Sequence, residues 1–132
     1  MGLTHVRARV SNPANPKRSA TVRFLVDSGA TYSVVPASTL RRLGIEPHGS
    51  RTFILVDGTE IKRKLGAATF RYRRHVGTSH VGTSSVIFGE KDDAALFGIG
   101  SLEDLGLMLD PLKRVLRPLP MLLGGQARSS RP

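Results

Sequence analysis

Phe24-Leu25-Val26-Asp27-Ser28-Gly29-Ala30 is the stretch on which the reading of this chain turns. Three apolar, β-prone residues deliver a single carboxylate onto a Ser-Gly-Ala turn. Gly29 carries no Cβ and lets neighbouring backbone come close. Ser28 supplies a short hydroxyl that can donate and accept. A carboxylate fixed at the end of a rigid strand is one way a fold presents a general acid or base. Thr31-Tyr32-Ser33-Val34-Val35-Pro36 follows, so an apolar strand leaves the turn as well as entering it. Far downstream, Leu96-Phe97-Gly98 makes a second apolar-apolar-Gly element. It runs into Ile99-Gly100-Ser101-Leu102-Glu103-Asp104-Leu105-Gly106.

An Asp-Ser-Gly-Ala turn after an apolar strand, then apolar-apolar-Gly before a short helix, resembles a retropepsin-like aspartic protease, in particular the compact single-domain bacterial and archaeal type. The similarity spans roughly residues 3–120, including Val56-Asp57-Gly58-Thr59. It implies a mainly β fold: a single-domain acid-protease β-barrel with one or two short helices. It makes Asp27 the catalytic residue and Ser28, Gly29 and Ala30 its active-site turn. Val56, Asp57, Gly58 and Thr59 become a flap that closes over a peptide. Viral members carry an acidic residue after the turn and an Arg after the downstream Gly. Thr31 and Ile99 stand in those places here, so that dimer-bracing ion pair is absent.

The chemistry implied by the resemblance needs two carboxylates, one ionised to activate water and one protonated to donate to the substrate carbonyl. The chain of 132 residues has one Asp-Ser-Gly turn and is too short for two lobes. The second Asp27 is therefore expected from an identical chain across a two-fold axis. The implied partners are a homodimer mate and an extended polypeptide substrate, with strand-like hydrogen bonds between flap and floor. Terminal strands, with Val115-Leu116 and Val6 to Val10 as candidates, would pair in that dimer. Two alternatives remain open: a catalytically silent dimer of the same fold that binds peptides, and a basic nucleic-acid-binding protein.

Composition supports one compact domain over residues 1–120 with a flexible tail over 121–132. With 39% hydrophobic residues and no Trp, the core is expected to be aliphatic. The absence of Cys excludes disulfides, thiol catalysis and thiolate metal sites. The four His have no zinc-ligand spacing, so no metal or cofactor is expected. No apolar run reaches membrane-spanning length and the first residues lack a signal core, which leaves a cytoplasmic location as the expectation. The net charge of +10 comes in small separated groups with no RNA-binding signature. It reads as a solvated basic surface rather than a nucleic-acid site.

Along the chain, Val6 to Val10 alternates as a half-buried strand. Pro36 to Gly44 reads as a short helix with Pro near its start and Gly at its end. Thr52–Val56 and Thr59–Lys62 form a hairpin through a type I′ Asp57-Gly58 turn. Ala67 to Arg73 and Ser85 to Phe88 are further strands. Ser101 is expected to cap a helix with Glu103 and Asp104 in its first turn. Leu107-Met108-Leu109 and Val115-Leu116 flank an Asp110-Pro111 turn. His75-Val76-Gly77-Thr78-Ser79 is repeated at once as residues 80–84, which reads as a lengthened surface loop.

Overall fold

The alternating pattern of the first residues builds strand β1 (His5–Asn12), which turns back into β2 (Asn15–Asp27) with Arg7 opposite Arg23 and Val10 opposite Ala20. The computed structural model describes residues 3–74 and 77–120. After the turn come β3 (Ser33–Pro36) and helix α1 (Ala37–Arg42), then β4 (Gly49–Ile54), β5 (Glu60–Arg73), β6 (Ser79–Gly89) and β7 (Leu96–Gly98). Helix α2 (Ile99–Asp104) and the hairpin β8 (Leu107–Asp110) and β9 (Val115–Pro118) complete the described chain. The expected tail over 121–132 lies outside the described residues.

Seven strands form one sheet in the order β1-β2-β7-β3-β6-β5-β4, and β1 also pairs with β5 at Arg9–Ser11. That extra pairing closes the sheet into a barrel. The fold is mainly β with two short helices, as the sequence implied. β8 and β9 form a separate two-stranded sheet. Among the described residues, no helix is long and apolar enough to cross a membrane.

Inward positions of the barrel strands supply the core. Ala8 and Val10 of β1, Phe24 and Val26 of β2, Ala68 and Phe70 of β5, and Val86 and Phe88 of β6 pack together with Leu40 and Leu102 from the helices. The expected aliphatic core has an aromatic centre. The rings of Phe24, Phe70 and Phe97 lie 5.3 to 5.9 Å apart in tilted and edge-on contacts, a favoured geometry. A smaller cluster of Val34, Leu65 and Ile87 lies on the other face of the sheet, with Tyr32, Phe53 and Leu96 against it.

Four local expectations change. The β4–β5 loop is not a type I′ turn, since Gly58 has φ +87° while Asp57 has no positive φ. Leu55 N–H donates to Thr59 O and Gly58 N–H to Leu55 O, enclosing Val56-Asp57-Gly58 as a three-residue loop with a left-handed glycine. Helix α2 begins earlier than Ser101, after Gly98, and Glu103 and Asp104 fall at its C-terminal end rather than its first turn. β5 joins the two strands read as Thr59–Lys62 and Ala67–Arg73 into one, and β6 extends back to Ser79, well beyond the strand read from Ser85. The second copy of the tandem repeat is accordingly strand rather than loop. Tyr72 faces His80 and Phe70 faces Gly82, and a Cβ on Gly82 would lie 2.5 Å from Asp104 O. His75 and Val76 of the first copy lie outside the described residues.

Helix α1 follows the expectation, with Pro36 at its N-cap and Gly44 at φ +78° beyond its C-cap. Truncating the aromatic centre tests the core. Phe70→Ala should cost about 3–5 kcal/mol in urea unfolding. Val81→Ala, on the exposed side of β6, should stay within about 0.5 kcal/mol.

Candidate functional site

β2 carries Asp27 to the end of the barrel because Leu25, Val26 and Asp27 run parallel to Leu96, Phe97 and Gly98 of β7. Phe97 on one strand and Phe24 and Val26 on the other are buried, which anchors the strand end that bears the carboxylate. Past Asp27 the chain folds into a tight turn. Gly29 N–H donates to Asp27 Oδ1 at 2.9 Å and Ala30 N–H to Asp27 O at 3.1 Å. The bond to Oδ1 fixes the carboxylate's rotamer and leaves Oδ2 unengaged by the turn. A Cβ on Gly29 would stand 3.3 Å from Oδ1, a tight contact. Asp27, Ser28 and Gly29 are all exposed in the single chain, so the carboxylate stands at an open face rather than in a closed pocket.

The start of α2 buttresses the turn from behind. Ile99 N–H donates to Ala30 O at 2.7 Å and Gly100 N–H to Thr31 O at 3.0 Å. Gly98 allows that approach, since a Cβ there would lie 2.6 Å from Tyr32 O and 2.9 Å from Ala30 O. Ser33 and Ser101, both fully buried, share a 2.6 Å hydrogen bond. Ser33 Oγ also accepts from Gly98 N–H at 2.9 Å, and Ser84 reaches Ser101 at 2.8 Å. Ser101 thus ties α2 to β3 and β6 rather than capping the helix, and Ser33 carries the link on to β7. Burial of these hydroxyls is tolerable because each has partners.

Beside the turn lies a cavity of about 490 Å³. Val34, Ile61, Ile87 and Leu96 give it an apolar floor, Tyr32 and Phe53 an aromatic wall, and Leu55 reaches it from the β4–β5 hairpin. Tyr32 and Phe53 meet edge-on at 5.9 Å, and the Arg51 guanidinium hydrogen-bonds the Tyr32 hydroxyl. One wall is polar: Arg63 grips Asp93 with two hydrogen bonds, from Nε at 2.7 Å and from Nη2 at 3.1 Å. The Arg63 hydrogen bonds hold the Asp93 carboxyl below its usual range, and those same bonds raise Arg63. A second cavity of similar size, lined by Pro36, Ser38, Arg41 and Lys64, contains no residue of the turn.

The hairpin expected to be the flap projects Ile54, Leu55 and Val56 into solvent. Asp57 Oδ1 accepts from Thr59 N–H at 2.9 Å, which stiffens the tip; the Thr59 side chain first, and this backbone bond after it, lower the Asp57 pKa. Asp110 sits in the β8–β9 turn, where it accepts from Leu112 and Lys113 N–H and pairs with Arg117. Asp57 is committed to its own hairpin tip and Asp110 to its own turn. No group of three or more His, Asp or Glu able to hold a metal occurs among the described residues.

Sequence reasoning missed Tyr32, Phe53 and the Arg63–Asp93 pair as walls of the cavity, and the Ser33–Ser101 link. No local signal marks them, since the serine partners are 68 residues apart. The hydrophobic positions Val34 and Leu96 were visible only as strand residues.

Comparison with known families agrees with the geometry. A family model described as aspartyl protease matches residues 6–98, which takes in the Asp27 turn, the hairpin and β7. No curated protein matches the chain.

Two predictions follow from the packing. Gly98→Ala should cost about 1–3 kcal/mol by forcing backbone apart, whereas Gly49→Ala, with nothing within 4 Å of a new Cβ, should be close to neutral. Both are read by thermal unfolding. The depressed Asp93 pKa makes its ion pair a source of stability present above the unfolded carboxylate value of 3.8 and lost as pH falls through the lower folded value. Asp93→Asn should therefore be less stable than wild type at neutral pH. The gap should close on acidification below about pH 4, measured by urea denaturation across pH.

Proposed function

The chain belongs to the aspartyl protease family of the retropepsin-like clan, and from that membership we propose that it is a homodimeric endopeptidase whose site forms between two Asp27 carboxylates, one from each subunit. The observation that carries this reading is the fixed, exposed Asp27 on its buttressed turn. A two-fold axis beside the turn supplies the second carboxylate without a second motif.

In that dimer one Asp27 is ionised and the other holds a proton. The ionised carboxylate takes a proton from a bound water as the water oxygen attacks the peptide carbonyl carbon. The protonated carboxyl gives its proton to the carbonyl oxygen, leaving a neutral gem-diol. The diol then collapses as the ionised carboxylate takes one hydroxyl proton and the protonated carboxyl gives its own proton to the amide nitrogen; the C–N bond breaks, acid and amine leave, and the pair again holds one proton. The site's pH behaviour belongs to the pair rather than to either residue.

Substrate would lie extended between the turn and the β4–β5 hairpin, adding backbone hydrogen bonds in the manner of a strand. Exposed Ile54, Leu55 and Val56 suit an apolar lid. The cavity walled by Tyr32, Phe53 and Leu96 fits a bulky apolar side chain next to the cleaved bond. For the dimer contact, β1 is the weaker of the two candidate strands, because it is paired with β2 along its length and with β5 at Arg9–Ser11. Among the described residues β9 pairs only with β8, so its other edge is the better placed to take a strand of a second chain.

Asp27→Asn should lower peptide cleavage by at least about a hundredfold with an unchanged circular-dichroism spectrum. Added in excess to wild type, it should depress wild-type activity by drawing active chains into mixed dimers. Wild-type rates from Asp27→Asn alone, or from wild type in a large excess of it, contradict the scheme.

A further inference from the structure

The basic residues scattered through the sequence are gathered by the barrel's register. Arg7 stands directly opposite Arg23 across β1–β2, and Arg9 directly opposite Arg71 across β1–β5. Arg7 and Arg9 alternate along β1, and Arg71 and Arg73 along β5, so all five share the outward face of three adjacent strands. All five are exposed. Neighbouring strands are about 4.8 Å apart and alternate residues about 6.7 Å apart. The guanidiniums therefore form a two-dimensional array on a rigid support.

Nothing acidic balances it. β1 and β6 contain no Asp or Glu, β2 none before Asp27, and β5 none after Glu60. The ion pairs among the described residues involve Arg63 and Arg117, and the array takes part in none of them. Arg9 donates to the neutral hydroxyl of Ser19. Holding like charges this close on a sheet is unfavourable, and an external polyanion relieves it.

We infer that the outward face of β1, β2 and β5 is a binding surface for the phosphate backbone of duplex nucleic acid, a function separate from peptide cleavage. Charge density selects this occupant. A duplex carries one phosphate charge per about 1.7 Å of axis, on two strands. An extended acidic peptide offers one carboxylate per about 6.7 Å on any one face, enough for one row of the array and not three. The cations of the array are all Arg, whose planar fork meets phosphate oxygens in pairs. The outward positions of these strands bear no Phe, Tyr or Trp to stack an unpaired base, and His5 at one end of β1 is their one aromatic ring. Binding is thus to backbone, without sequence readout.

The test is fluorescence anisotropy of short labelled DNA and RNA duplexes with the full chain, titrated from about 50 to 200 mM salt. Wild type should bind with a steep salt dependence. Replacing Arg7, Arg9, Arg23, Arg71 and Arg73 by Gln should weaken binding more than tenfold and flatten the log–log salt slope by about 4.5. A control with the same loss of charge elsewhere, Gln at Arg41, Arg42, Lys62, Lys64 and Lys113, should change it far less. Single replacements, which keep the barrel, should each flatten the slope by about 1. Peptidase activity of the Arg23, Arg71 and Arg73 single variants should be unchanged. Equal losses in patch and control variants would mean net charge alone and would overturn the proposal. So would a wild type that fails to bind either duplex, or poly-glutamate displacing duplex as well as unlabelled duplex does.

Discussion

The candidate site depends on one close backbone contact, that of β7 and the start of α2 against the loop after Asp27. Gly98 leaves no room for a Cβ between itself and Tyr32 O, and Gly100 is within 2.9 Å of Thr31 O in the same sense. Because the two segments touch backbone to backbone, Ile99 and Gly100 can donate to Ala30 and Thr31. Ser33 can likewise reach Gly98 N–H. A turn held only by its own two hydrogen bonds would fray. Held by a parallel strand and a helix start, it presents Asp27 in one orientation. The parallel pairing of β2 with β7 then transmits the order of the Phe24–Phe70–Phe97 centre to the carboxylate.

The parts of this arrangement that sequence revealed are those set by local chemistry. Phe24 to Val26 had to be strand, and Asp-Ser-Gly had to turn. Pro36 and Gly44 bracketed a helix that starts and stops there. The parts it hid are set by distant partners. Ser101 has the side chain of a cap, and only the fold shows its hydroxyl turned inward to Ser33. The tandem repeat looked like inserted loop, yet alternation along β6 lets Gly82 slip beneath Asp104 while His80 Nδ1 meets Leu105 O. Asp57-Gly58 was rightly a hairpin. Its turn type depended on the φ of Asp57, which the side chain does not dictate.

Charge illustrates the same limit. Read linearly, the cations are isolated groups. Folded, alternation places Arg7 and Arg9 on one face, and register brings Arg23 and Arg71 beside them. Arg63, by contrast, turns to Asp93 and becomes part of a cavity wall. The fold thus separates cations that hold structure from cations left facing solvent, a distinction that composition cannot make.

Peptide cleavage by this chain calls for a site completed by two copies of it. A chain that supplies one positioned carboxylate cannot perform acid and base roles at once, so catalytic competence is a property of the pair. Stoichiometric titration with an uncleavable peptide carrying a hydroxyl-bearing replacement for the scissile amide measures this directly, because such a mimic binds the assembled transition-state site. The account predicts loss of activity complete at one inhibitor per two chains. An end point of one inhibitor per chain would contradict it.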